Sequence, residues 1–213
     1  VLSGFDLQGL TPANGGSAVD LGTVTRTNVT GTISAGAAGD NQLSSVETNP
    51  TRDLDAFLKV GRTGYGNIAV EENDNNLWLV NLNQRALVRV NVSGATLPGT
   101  VDQYPLTSAV GLSACPNASD VFRPFALTFY NGLGYLGGVC DASVSQTAAN
   151  LRAYVYSFNP AAVAATSITY TLVTDFPLNY TREGSSANSF GGTQVASTWR
   201  PWVTAWAQVT NTT

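Results

Sequence analysis

The apolar positions of this chain come in short runs, and clusters of Asn, Asp, Gly and Pro separate them. β-Branched and aromatic residues dominate the runs, a pattern that predicts strands. Phe57–Val60 reads as a short strand, and Gly61, Gly64 and Gly66 punctuate a turn. Asn67–Val70 follows as a strand, Glu71–Asn76 as a polar turn, Leu77–Asn81 as a strand, Asn83-Gln84 as a turn and Ala86–Val92 as a strand. The same order then returns. Pro124–Tyr130 reads as a strand and ends at Asn131-Gly132, a strong hairpin signal because both residues accept positive φ. Leu133–Cys140 is the returning strand, and a loop of small polar residues occupies 141–150. Leu151–Phe158 alternates as a long strand, Asn159-Pro160 turns it, and Ser167–Thr174 supplies a fourth. Connections this short force antiparallel neighbours.

Before Phe57 the pattern is weaker. Residues 1–56 form a Gly/Thr/Asn-rich lead-in with β-like pieces at Thr23–Thr25 and Val29–Ile33, a loop or flat strand from Ser34 to Asn41, and no helical period. A literal repeat stands out further on. Phe122-Arg123-Pro124-Phe125 matches Trp199-Arg200-Pro201-Trp202, and each copy opens a β run. Similarity at this scale marks a repeated sheet unit of the kind seen in propeller blades. The expected architecture is therefore all-β: antiparallel, four-stranded, blade-like sheets forming an incomplete β-propeller, with a β-sandwich as the alternative. The expected divisions are 1–56 as lead-in, 57–121 and 122–198 as two blade-like units, and 199–213 as the first strand of a further unit.

Composition narrows the function. The chain has 213 residues, no His, 11% charged residues and a net charge of −4. Without His there is no Ser-His-Asp triad, no Cys-His dyad and no imidazole metal site. Basic residues are few and scattered, so no nucleic-acid footprint exists. No apolar stretch is long enough to span a bilayer. The chain starts at Val1 with neither the charged nor the apolar region of a signal peptide, which leads us to expect a processed protein or a piece of a longer one. Low charge, a pI near 4.6 and many small hydroxylated residues suit an extracellular or cell-surface place. Cys115 and Cys140 lie 25 residues apart. In an oxidising compartment they form a disulfide that closes a loop worth about 3 kcal/mol; the alternative is two separate buried thiols.

Several clusters are candidates for chemistry. Asp53 and Asp55 would share a face if their segment were a strand. Glu71, Glu72 and Asp74 lie in a turn rich in oxygen ligands that calcium favours, though the spacing is not that of an EF-hand and a polar hairpin turn explains it equally. Arg123 and Arg200 each sit between aromatics, where a guanidinium can recognise a carboxylate or a sugar face; the plainer reading is a structural Arg with its stem packed on Phe122 or Trp199. Trp78, Trp199, Trp202 and Trp206 are candidates for a glycan-stacking platform, against core packing as the simpler reading. The candidate binding set is thus Trp199, Arg200, Trp202, Trp206, Phe122 and Arg123. Gly61–Gly66 is a turn, since it lacks the Lys and helix of a phosphate loop. Asn-x-Ser/Thr sequons occur at Asn28, Asn91, Asn117, Asn179 and Asn211, about the number chance supplies.

Spaced phrases along 57–206 also resemble a family. They include Gly66–Val70, Leu77–Asn83, Leu87–Val90, Arg123–Leu127, Tyr135–Cys140, Ala153–Tyr156 and Asp175–Arg182. Together they resemble the blades of large bacterial secreted surface proteins, which carry a β-propeller-like module beside SdrD-B-type immunoglobulin-like domains. The resemblance implies an exported cell-surface protein with no assigned catalysis and no catalytic residues to transfer. Family members continue with further blades, whereas this sequence holds two and the start of a third. A closed ring needs about four. The expectation is that other protein chains, or the remainder of a longer polypeptide, complete it. The expected function is non-enzymatic scaffolding or assembly, with glycan or protein binding as the alternative and no cofactor beyond a calcium ion.

Overall fold

The computed structural model describes residues 26–36, 54–94, 99–182, 197–205 and 208. It contains two four-stranded antiparallel sheets, each a simple meander. The first holds β1 (Tyr65–Val70), β2 (Asn76–Asn81), β3 (Ala86–Asn91) and β4 (Val101–Pro105). The second holds β5 (Phe122–Tyr130), β6 (Leu133–Cys140), β7 (Arg152–Phe158) and β8 (Thr171–Pro177). A two-stranded ladder pairs β9 (Thr181–Arg182) with β10 (Ser197–Thr198). The all-β expectation holds at this level.

The sheets lie against one another through their first strands. β1 runs beside β5, and the Asn67 side chain donates to Leu127 O at 2.8 Å. Between them lies one aromatic core. Trp78 stacks on Tyr104 with centroids 5.7 Å apart and meets Phe129 and Phe158 at an angle. Leu127, Leu136, Tyr154 and Tyr156 extend this core across the second sheet. Strand β6 makes room for it with glycines on its inward side. A Cβ at Gly134 would stand 2.3 Å from the Phe158 ring, and one at Gly138 would stand 2.4 Å from Phe122.

The far side of the first sheet has a second core, formed by Leu77, Leu79, Val88, Val90 and Val101, with Ile33 laid across it. Burial on both faces explains why β2 is a continuous apolar run instead of an alternating one. The 26–36 segment is fixed to this sheet by polar side chains. Asn81 and Asn83 donate to Ser34 O, and the Asn28 amide both accepts from Gln103 N and donates to Gln103 O at 2.9 Å. Asn28 thereby covers the edge of β4 in place of another strand.

Several expectations are corrected. Phe57–Val60 is not a strand: Leu54–Lys59 forms a short helix, α1, and Val60 lies in the turn after it. Gly61 takes φ +67°, and the Arg62 and Thr63 amides return to Lys59 O, as at a glycine-terminated helix end. A four-residue apolar run does not distinguish the two states. Asp55 therefore lies in a helix and not in a strand, and Asp53 lies outside the described residues. Val29–Ile33 forms no strand and bends instead. β4 was not foreseen, because Val-Asp-Gln-Tyr shows no apolar alternation, yet all four residues are buried. The fourth strand of the second sheet begins at Thr171, not Ser167, and Ile168 and Tyr170 enter the core from the preceding loop. Residues 199–205 form no strand, contrary to the expected start of a further unit. Thr23–Thr25 and the loops at 184–193 lie outside the described residues.

The Asn131-Gly132 hairpin is as expected, with φ of +53° and +76° and Tyr130 opposite Leu133. Cys115 and Cys140 are joined in a disulfide, with Cα atoms 5.6 Å apart, that ties the 109–121 connection to the end of β6.

Candidate functional site

The binding residues expected from sequence gather at one end of the outer face of the second sheet. Its centre is Asp141, which follows the last residue of β6 and is buried. Arg123 Nε donates to Asp141 Oδ2 at 2.5 Å. The Ser143 and Val121 amides donate to Oδ1 at 3.0 and 3.3 Å. Burial by itself pushes this carboxyl upward and is the largest single influence, but the Ser143 and Arg123 hydrogen bonds together outweigh it and hold the group below its ordinary range. The carboxylate is thus fixed as an anion, and it in turn fixes the guanidinium.

Trp202 closes over this pair. Its amide donates to Asp141 O at 2.9 Å, and its carbonyl accepts from Gln146 Nε2 at 2.8 Å. The Arg123 and Arg62 guanidinium carbons lie 4.8 and 4.9 Å from its ring centroid, and Phe125 meets it at 6.2 Å. Burial, and then the charge of Arg123, lower the Arg62 pKa from its ordinary value, while Asp141 acts in the opposite sense. The two copies of the aromatic-Arg-Pro-aromatic phrase are therefore not equivalent positions in successive sheets. One is a strand, the other is not, and they pack on each other.

Beside Trp202 lies a groove of about 410 Å³ lined by Phe125, Val139, Leu151, Leu178, Trp199 and Arg200, with Asp141 at its base. Trp199 also meets Tyr180 edge-on at 6.3 Å. The structure thus brings together Trp199, Arg200, Trp202 and Arg123. It separates Phe122, whose ring turns to the opposite side of the sheet against Tyr154 and Tyr156. Trp206 lies outside the described residues. Trp78 is fully buried in the shared core. Asp141 and Arg62 were missed by sequence reasoning, and no local signal marks either one.

Two of the candidate calcium ligands, Glu71 and Glu72, accept hydrogen bonds from the protein. Glu71 is buried and accepts from Trp78 Nε1 at 2.6 Å and from Asn76 Nδ2 at 2.9 Å. Glu72 accepts from the Asn131 and Gly132 amides at 2.7 and 2.6 Å, linking the β1–β2 turn to the β5–β6 hairpin. Asp74 is exposed at the turn with φ +57°. Among the described residues no group of three or more His, Cys, Asp or Glu is placed to hold a metal ion. These carboxylates align the two hairpins beside a cavity of about 520 Å³ that Arg89 and Phe129 also line.

Fold and site define an all-β chain of two stacked antiparallel meanders with an aromatic, guanidinium-lined groove. No family model matches the sequence, and no solved structure matches it. Among curated proteins the chain is similar to Colossin-A of Dictyostelium discoideum, 29% identical over 149 residues. That stretch is 68% of this chain and 1% of that protein's length. Among the described residues no helix is long and apolar enough to cross a membrane.

Proposed function

We propose that this chain is a non-enzymatic structural or assembly module that works outside the cell, built from β-propeller-like blades that further protein surface completes. The observation that carries this reading is the unequal cover of the two sheets. Among the described residues the first is enclosed on both faces, whereas the second is enclosed on one and leaves much of the other open. Side-by-side first strands, as in β1 and β5, are what four-stranded sheets adopt when they repeat around an axis. The disulfide and the low charge suit an oxidising, extracellular place. The resemblance of residues 57–206 to exported surface proteins points the same way. The test is the native mass in solution, by light scattering on a sizing column. A multiple of 22.2 kDa supports sheets completed between chains. A compact, stable monomer replaces the propeller with a closed β-sandwich and removes the assembly role.

The groove beside Trp199 favours a second reading, a glycan- or protein-binding module, because an apolar cleft with an aromatic wall and a charged rim suits a sugar face. Trp202 already carries two guanidinium groups on its ring, so Trp199 is the side chain to remove. Saturable glycan-array binding that Trp199→Ala abolishes supports this reading, and an array with no hits eliminates its glycan form.

A further inference from the structure

We propose that Asn117 and Asn179 carry N-linked oligosaccharides, and that this sugar keeps one end of the second sheet in solvent. The inference rests on the extracellular reading above, because such sugar is attached during export.

Chance supplies Asn-x-Ser/Thr triplets, but the fold decides which of them can bear sugar. Attachment joins the amide nitrogen Nδ2 to the anomeric carbon of an oligosaccharide carried on a lipid pyrophosphate. A C–N bond forms and the C–O bond to the pyrophosphate breaks. The lipid pyrophosphate leaves with the bonding pair, and one amide proton passes to water. The product keeps its carbonyl oxygen and one N–H. An asparagine that spends both Nδ2 hydrogens in the native fold therefore loses a bond when modified. One that uses only Oδ1, or neither atom, loses nothing.

The four described sequons divide on that criterion. Asn28 donates from Nδ2 to Gln103 O at 2.9 Å and to Ala165 O at 2.8 Å, so both hydrogens are spent. Asn91 is half-buried in β3, donates to Asn76 Oδ1 at 3.4 Å and accepts from the Ser93 amide and hydroxyl. A Cβ at Gly99 would stand 3.0 Å from its Oδ1, which leaves little room for a pyranose. Asn117 uses Oδ1 alone: it accepts from the Ser119 amide at 2.9 Å, in a turn closed by the Asp120 amide on Asn117 O at 3.0 Å. This Asx turn needs only the carbonyl oxygen and survives modification. Ala118 and Ser119 beside it are exposed. Asn179 is exposed on the connection between β8 and β9, and among the described residues its side chain makes no hydrogen bond. Asn211 lies outside the described residues.

The strand register then places the two acceptors at the same end of the sheet. Phe122 of β5, Cys140 of β6, Arg152 of β7 and Pro177 of β8 stand opposite one another in a row. Asn179 follows Pro177 by two residues, and Asn117 follows by two the Cys115 that is disulfide-bonded to Cys140. Both sequons therefore lie at the end opposite the Asn131-Gly132 hairpin. Bulky, hydrated oligosaccharides there oppose close protein contact. The surface that completes the sheets accordingly lies elsewhere on the chain.

The experiment is to secrete the whole chain from a eukaryotic cell, treat it with a peptide N-glycanase and map its peptides by mass spectrometry. That enzyme leaves Asp wherever a sugar stood. Asp is expected at positions 117 and 179, and unchanged Asn at 28 and 91. Ser119→Ala and Thr181→Ala remove the hydroxyl each triplet requires and leave both asparagines in place. Each variant is expected to lose one oligosaccharide from the intact mass. Thermal melts of the secreted chain and of the same chain made in bacteria control for folding. Unchanged Asn at 117 or 179 in secreted, folded protein overturns the proposal and leaves the extracellular reading intact. Asp at 28 in protein that still melts cooperatively also overturns it, because the fold would then tolerate loss of an Asn28 contact. A chain that folds when made in bacteria but is never secreted overturns the extracellular reading as well.

Discussion

The two sheets share strand order and a common aromatic core, yet they differ in their connections and in their outer sides. The first sheet has an apolar outer face enclosed by Ile33 and by polar side chains from residues 28 and 81–84. The second has an outer face of small, hydroxylated and aromatic residues, covered at one end by the 199–203 segment and, among the described residues, open over the rest. The difference shows in the strands. β2 is buried at almost every position, whereas β6 alternates buried with half-buried residues. Equal topology thus does not imply equal environment, and the enclosed sheet is the one whose substitutions should cost most.

The strongest challenge to a shared core is Trp78→Ala. It removes a fully buried ring and takes from the buried Glu71 carboxylate one of its two side-chain donors, the indole N–H, leaving Asn76. The expected loss is about 4 kcal/mol in urea unfolding, as one transition for both sheets. Separate transitions would mean that the two sheets fold as independent units. Next, the second sheet should depend on its covalent tie. The double variant Cys115→Ser with Cys140→Ser should lose about 3 kcal/mol, and an unchanged urea midpoint would show that the 109–121 connection is held by packing alone.

A direct contrast follows at somewhat smaller size. Leu79→Ala on the closed face should cost about 3 kcal/mol. Phe176→Ala, 44% exposed on the open face, should cost less than about 1 kcal/mol in a monomeric sample. Similar costs in parallel melts would erase the distinction between the two sides. The last effect is electrostatic. Asp141→Asn should lose about 2 kcal/mol at neutral pH, because it weakens the acceptor for Arg123 and the Ser143 amide. A carboxyl held below its ordinary value contributes stability that is complete above about pH 4, the value in the unfolded chain. That contribution is lost as pH falls through the lower native value. The natural and Asn forms should therefore converge in acid, and a gap that persists there would assign the effect to packing.

Much of the second sheet was legible in the sequence. The Asn131-Gly132 turn, the alternation of Leu151–Phe158 and the glycines of β6 each specify local geometry. The first sheet was harder. β4 contains Asp102 and Gln103, which pair with Arg89 on the neighbouring strand and with Gln84 in the turn before it. No window of local sequence contains those partners. The same limit applies to the site. Trp199, Arg200, Trp202 and Arg123 stood out as a repeated phrase, but the phrase suggested two equivalent strands where the chain makes one strand and one covering segment. Asp141, which holds them together, had no signal beyond its place after Cys140. Phe122 was grouped with them because neighbours in sequence look like neighbours in space, although alternation along a strand sends it to the opposite face.

By itself the sequence determined the β class, the hairpin turns, the chemistry excluded by the absence of His, and the presence of two cysteines able to pair. These follow from properties of single residues and their immediate neighbours: β-branching, positive φ, titratable groups and thiols. Only the tertiary structure decided which face of each sheet is closed, where the buried carboxylates find their donors, and that the two copies of one tetrapeptide pack on each other. Those outcomes depend on contacts between segments far apart in the chain, as between Arg123 or Arg62 and Trp202, and the energy of such contacts comes from desolvation and geometry set by the whole fold.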